Sequence, residues 1–345
     1  NPPVVSLLFL PLAHLDQRSA YYLFVLPQFL LALFVWRRFI THMFGTHPAL
    51  KPAATLALAG FFPVMAGMMI GQVGLLLFTL LLLGWMALEK GNDRQAALWL
   101  GLALLLKLFV GLVFIWLALS RRWRVLFGAS ALYVAGMALT LAYFGLEEHK
   151  AWLQAVKAMP FVAMTWNASL DGLIYRYLGG GPVMAIFNMP ILAFFIRSMA
   201  IVVTAMLLIW LARRPHSFAL GFALCLPLML LLTPLGWIYY FPALLLAGCL
   251  LWRETGVTRH KVWLAISLAL CGVPQLPSGR DFYTPSLWRG YDKGGYSTVV
   301  DGHTEIVRYG VYYWIDVPEL FTLGLIVLSV TGFVIARPKT ASATA

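Results

Sequence analysis

Residues 96–119, AALWLGLALLLKLFVGLVFIWLAL, form an apolar run broken by a single cation, Lys107, at its middle. A helix rises about 1.5 Å per residue, so the run is long enough to cross a hydrocarbon core of about 30 Å once. One crossing would leave the ammonium near the bilayer centre, where charge is costly. The flanks point elsewhere: Arg94 precedes the run, Arg121, Arg122 and Arg124 follow it, and basic clusters beside a span favour the cytoplasmic side. With both ends on that side, the run folds into two short arms with Lys107 at the apex. An apex lysine either meets an anion near the outer face, or only snorkels or pairs with a carboxylate.

The rest of the chain makes the membrane reading general. Hydrophobic residues are 61% and charged residues 11% of the sequence, and the mean hydropathy is +0.84, which indicates an all-α, polytopic transmembrane protein rather than a soluble domain. The net charge of +12 and the pI near 9.8 would suit nucleic acid in a soluble chain, but here their distribution decides. Loops 37–53, 89–95, 120–124, 212–216, 253–261 and the tail from 337 hold fifteen Lys or Arg against three acids, which accounts for the whole net charge. That is the positive-inside pattern, and it excludes a nucleic-acid partner. Cys225, Cys249 and Cys271 lie in apolar segments without paired spacing and read as core residues. The chain opens on Asn1 with no leader segment, which reads as the remainder of a longer protein.

Taken in order, residues 2–13 are too short and proline-rich to span and read as a half-helix at the outer face. Residues 18–36 cross inward and end at Trp36, an interfacial aromatic ahead of Arg37 and Arg38. His42 and His47 follow in a plain loop without carboxylate company. Residues 54–68 run outward to Gly71-Gln72, and 73–88 return. Gln72 either contacts a ligand at the outer mouth or caps a turn between helices. Beyond the Lys107 hairpin, 123–145 run outward into a surface helix from about 146 with apolar residues at helical spacing. Asn167, Ser169, Asp171, Tyr175 and Arg176 then gather before a glycine break; Asn167-Ala-Ser169 matches a glycosylation sequon. Span 186–211 carries Arg197, a functional candidate or a snorkelling cation. Spans 217–232 and 236–252 meet at TPLGWIYY, which presents Trp237, Tyr239 and Tyr240 for a sugar, a phosphate or an aromatic belt. Residues 262–274 lead to a cap loop, 275–316, and a last span at 317–336. Asp301, His303 and Glu305 in that loop read as a solvated hairpin edge, not a metal site. The organisation expected is a membrane core over 1–255 followed by further helices and the cap over 256–345.

The segments NPPVVSLLFLPLA, FFPVMAGMMIGQVG, LGLALLLKLFVGLVFIWLALSRRWR, WNASLDGLIYRYLG and TPLGWIYYFPALLL, in that order and spacing, resemble the integral-membrane GT-C glycosyltransferases. The pattern is most similar to glycosyltransferase family 87, the bacterial α-mannosyltransferases that use polyprenyl-phosphate sugars, over about residues 1–255. The resemblance implies a multi-pass protein of the bacterial inner membrane with an active site facing the periplasm. It implies transfer of a hexose, mannose in that family, from a polyprenyl-phosphate donor to a glycolipid or glycan acceptor in the bilayer, with no metal and no cofactor. In such enzymes an aspartate of the first outer loop is the base, and that loop is expected ahead of Asn1, so no residue here inherits the role. Two departures stand out: Pro2-Pro3 where an aromatic is usual, and Ile238-Tyr239 where many members carry Asp-His.

On this reading Lys107, with Arg197, holds the donor phosphate. Gln72, Asn167, Arg176, Tyr239 and Tyr240 line the sugar and lipid-phosphate cavity. Two readings from other classes compete: a transporter or flippase for a lipid-linked or anionic solute, disfavoured by the lack of internal symmetry, and a catalytically silent partner in an envelope assembly.

Overall fold

The computed structural model describes residues 2–45, 50–157, 162, 166–179, 187–214, 218–274, 295–300, 303–308 and 318–337. A short helix, α1 (Pro3–Ser6), and a 3₁₀ turn at Leu10–Leu12 precede α2 (Gln17–Phe44). Asp16 starts α2 by accepting hydrogen bonds from the backbone N–H groups of Arg18 and Ser19, which satisfies two of the orphan donors of a first turn. The helix runs eight residues beyond Trp36. Trp36 is buried and donates its indole N–H to the Ala54 carbonyl at 2.8 Å, so it joins two helices instead of sitting in an interfacial belt.

The single outward span expected over 54–68 is two helices, α3 (Leu50–Ala59) and α4 (Phe62–Met69), bent by 54°. Pro63 accounts for the break, because proline cannot donate to the carbonyl four residues back and its ring would strike it. α5 (Gly74–Glu89) returns from the turn.

The lysine-bearing run is also two pieces: α6 (Asp93–Leu106), a 3₁₀ turn at Leu108–Val110 and α7 (Gly111–Leu119), with Lys107 extended at the break (φ −149°, ψ 117°). Its course follows from the neighbour, α8 (Trp123–Lys157). A Cβ on Gly128 would lie 2.9 Å from Ala97, and one on Gly136 would lie 2.7 Å from Leu105. Rising numbers on one helix meet rising numbers on the other, so α6 and α8 run parallel and begin at the same end of the bundle. The chain between them therefore goes out and comes back. The approach sets Ala97 against Gly128 and Gly101 against Ala129, the small-residue contact that lets membrane helices pack closely.

α8 continues past the expected end of its span, kinked at Gly145 (φ 81°), and the stretch after the kink is the surface helix anticipated from about 146. Then come α9 (Leu170–Leu178), α10 (Pro190–Ala212), α11 (Phe218–Leu232), a 3₁₀ turn at Ile238–Tyr240, α12 (Pro242–Glu254), α13 (Thr258–Gly272) and α14 (Pro318–Ala336). Strands β1 (Gly295–Val300) and β2 (His303–Arg308) pair antiparallel with Val300 opposite His303. The remainder of the cap loop, Asp301 and His47 lie outside the described residues.

The basic segments come together at one end. Glu89 pairs with Arg253 and, at 3.3 Å, with His42, so His42 does have a carboxylate beside it. Arg122 lies over the Phe218 ring, whose backbone carbonyl accepts from Trp116 at 3.1 Å. Arg214 lies over Trp210, Trp210 meets Phe333, and Arg337 lies over Phe333. α13 and α14 share the apolar core with α11 and α12: Gly324 packs on Cys271, Gly332 on Leu224 and Leu251, and Phe241 stands edge-on to Phe321. Among the described residues, four helices are long and apolar enough to cross a membrane, five if the bent α3–α4 pair counts as one span. The fold is an all-α, polytopic helical one.

Candidate functional site

The end opposite the basic loops collects the broken segments. Lys107 closes α6, and its Nζ lies 4.8 Å from the centroid of the Tyr240 ring. Phe109, two residues further, meets the same ring at 5.0 Å. Ammonium and ring attract through the ring's electron-rich face, which helps the cation sit half-buried at the break.

Tyr239 and Tyr240 are 8% and 2% exposed. Trp237, Tyr239 and Tyr240 form a row, with centroids 5.9 and 4.6 Å apart. Their backbone is pressed against the α4–α5 turn: a Cβ on Gly74 would come 1.8 Å from the Tyr239 carbonyl oxygen, and one on Gly67 would come 3.2 Å from Tyr239 Cβ. In that turn Gly71 takes φ +63°, and the Gln72 N–H donates to the Gly67 carbonyl at 2.9 Å, closing α4 in the manner of a glycine C-cap. Gln72 thus caps the turn with its backbone, and its side chain is half-buried. Lys107, Tyr239 and Tyr240 make one cluster, against whose Tyr239 backbone the Gly67–Gly74 turn that carries Gln72 is packed.

Asn167 belongs to the wall behind it. Its amide donates to the carbonyls of Val162 (2.7 Å) and Pro234 (2.8 Å), and its side-chain oxygen accepts from the N–H groups of Gly236 (2.9 Å) and Ser169 (3.2 Å). All four hydrogen-bonding positions of the amide are taken. Asn167 is fully buried, so it is a strut for the 234–236 loop rather than a sugar contact, and the sequon is inaccessible in the folded chain. Backbone bonds from Ala168 N–H to Gly236 and from Ile238 N–H to Trp166 complete the joint.

Arg176 is a strut too. It is 1% exposed, donates to the Asn167 carbonyl at 3.0 Å and sits 3.4 Å from Glu319 at the start of α14. Thr322 adds a bond to the Ala168 carbonyl. Glu319 had no sequence signal as a site neighbour beyond being a carboxylate at the head of an apolar span. Arg197 pairs with Asp171 and rests over the Tyr175 ring at 5.4 Å. Burial pushes the Asp171 carboxyl above its usual range, against the opposing pull of the Arg197 guanidinium. Ser169 caps α9 through Gly172 N–H at 3.0 Å and so sets the position of Asp171. Cavities of about 650, 530 and 950 Å³ lie at the basic end.

A helical bundle of this hydropathy, with half-length helices that gather a lysine, tyrosines and an amide at one end, is a multi-pass membrane protein organised around a polar apex. The sequence pattern of glycosyltransferase family 87 matches residues 1–234. The chain belongs to that family and is a membrane glycosyltransferase. No curated protein and no solved structure matches it.

Proposed function

We propose that the protein transfers a hexose, mannose by its family resemblance, from a polyprenyl-phosphate donor to a glycolipid or glycan acceptor. The reaction takes place at the outer face of a bacterial inner membrane. The observation that carries the reading is Lys107: a cation at the break between two short helices, beside the Tyr240 ring, at the end of the bundle away from the basic loops. That placement supports a cytoplasmic basic end and an outer apex.

In the transfer, the acceptor hydroxyl oxygen forms a bond to the anomeric carbon while the bond from that carbon to the phosphate oxygen breaks. The phosphate leaves with the electron pair, and the hydroxyl proton passes to a general base. Lys107 steadies the departing phosphate, because charge on its oxygens grows as the bond breaks and a fixed cation in a dry site stabilises that growth. Gln72 and the tyrosines flank the sugar. Arg197 joins a phosphate only by leaving Asp171, so its part is secondary to that of Lys107.

The test is transfer of radiolabelled mannose from polyprenyl-phosphate mannose by membranes carrying the protein or Lys107→Ala. Loss of one transition-state cation lowers kcat by roughly 100-fold or more, with the variant still inserted and monodisperse. Undiminished transfer by Lys107→Ala would remove Lys107 from the reaction.

A further inference from the structure

The cavity of about 650 Å³ at the basic end lies far from the apex and is lined by α2, α3 and α5. Its rim carries Arg37, Arg38, His42, Lys51 and Lys90. Among the described residues no Asp or Glu lines it. Glu89, next to Lys90 in the chain, is engaged by Arg253 and faces His42 at 3.3 Å, which leaves the two arginines and two lysines of the rim in excess. Five side chains with cationic character on three separate elements converge on one hollow, whereas a solvated charged face would spread them outward.

The wall beneath the rim is apolar. Leu30, Leu33 and Phe34 line it from α2, and Met86 lines it from α5, one turn inside Lys90. From Leu30 to Thr41, both lining residues, a helix rises about 16 Å. The hollow therefore grades from cations at headgroup level to hydrocarbon contacts at acyl depth. Arg38 lies 5.5 Å from the Phe34 ring, at the boundary between the two zones. A free inorganic anion would need only the rim. A molecule that fills rim and wall together has an anionic phosphate head and an attached apolar chain.

We infer that this cavity is a binding site for an anionic phospholipid, separate from the apex. The phosphate and any second headgroup charge sit among Arg37, Arg38 and Lys90, and one acyl chain runs down past Phe34 and Leu33. Arginine suits the role through its planar array of donors to phosphate oxygens, and basic pockets between membrane helices are a recognised place for charged headgroups. The site needs no sugar transfer to operate. Its occupant wedges between α2 and the α3–α5 pair and steadies their spacing.

The experiment uses the full chain in nanodiscs of phosphatidylcholine doped with photoactivatable phosphatidylglycerol. Adducts are mapped by peptide mass spectrometry. Crosslinks concentrated in residues 30–42 and 86–90 are expected, with at least tenfold fewer from a photoactivatable phosphatidylcholine. Adducts spread evenly over the lipid-facing helices, or equal labelling by both lipids, overturn the site. Excess inorganic phosphate should not reduce the labelling; if it does so fully, the cavity binds phosphate alone and the lipid assignment fails. A second arm measures retention of phosphatidylglycerol through detergent purification. Arg37→Gln with Arg38→Gln and Lys90→Gln should weaken it on the order of 100-fold, whereas Arg121→Gln with Arg124→Gln should not. Because the crosslinking arm uses the unaltered protein, a misfolded variant leaves the proposal open to refutation.

Discussion

The ammonium of Lys107 lies 4.8 Å from the centroid of the Tyr240 ring, although 133 residues separate the two in the chain. The contact joins the α6–α7 break to the apex between α11 and α12. Replacing Tyr240 by Phe keeps the ring and should leave donor KM within about twofold, whereas Tyr240→Leu removes the attraction and should raise donor KM roughly 2- to 30-fold, the range of one cation–π contact. Steady-state transfer kinetics decide it, and identical effects of the two substitutions would discard the ring's electrostatic role.

Gly74 tests how tightly the apex is held. A methyl group there would meet the Tyr239 carbonyl at 1.8 Å, while one at Gly111 meets nothing within 4 Å. Gly74→Ala should displace the tyrosine row and abolish transfer, and Gly111→Ala should leave transfer within about threefold of the original, since nothing crowds the added methyl. Parallel assays with equal membrane expression make the comparison; a fully active Gly74→Ala would show that the packing is slack.

Asn167 should behave as a structural residue. Asn167→Ala leaves the Gly236 and Ser169 N–H groups and the Val162 and Pro234 carbonyls short of a partner, at a cost of about 3 kcal/mol. Thermal unfolding in detergent should register it as a fall of several degrees. If instead Asn167→Ala unfolds normally and loses only sugar affinity, the side chain contacts substrate.

The Arg176–Glu319 pair ties α9 to α14. Arg176→Leu alone leaves the partly exposed Glu319 carboxylate and the Asn167 carbonyl without the arginine and should cost about 1–3 kcal/mol. Arg176→Leu with Glu319→Leu should recover most of that loss, as buried pairs replaced by apolar side chains commonly do. A double variant no more stable than the single one would mean that the arginine's bond to the Asn167 carbonyl matters more than its charge.

The hairpin around Lys107 was legible because its evidence is local: a cation inside an apolar run, and arginines at both ends. The break between α3 and α4 was in principle legible too, since Pro63 stands in the middle of the run. What could not be read is the choice of partners across the chain. Asn167 and Arg176 look the same in sequence whether they face a substrate or a backbone carbonyl, and the atoms that decide, on Pro234 and Glu319, are 67 and 143 residues away. Trp36 misleads for a similar reason, because an aromatic ahead of two arginines fits an interfacial belt equally well until Ala54 is seen to accept its N–H. Arg197 was recognised as a costly intramembrane charge, but its pairing with Asp171 depends on how α9 docks beside α10.

The parallel packing of α6 and α8 bears on how the chain enters the bilayer during synthesis. α6 has 14 residues and α7 nine, so neither is long enough to be released sideways as an independent span. The glycines that receive Ala97 and Leu105 belong to α8, which emerges from the ribosome only after both arms. Insertion of the lysine-tipped loop must therefore wait for the helix behind it, and a stop placed before Gly128 should leave residues 93–122 outside the membrane and exposed to proteases.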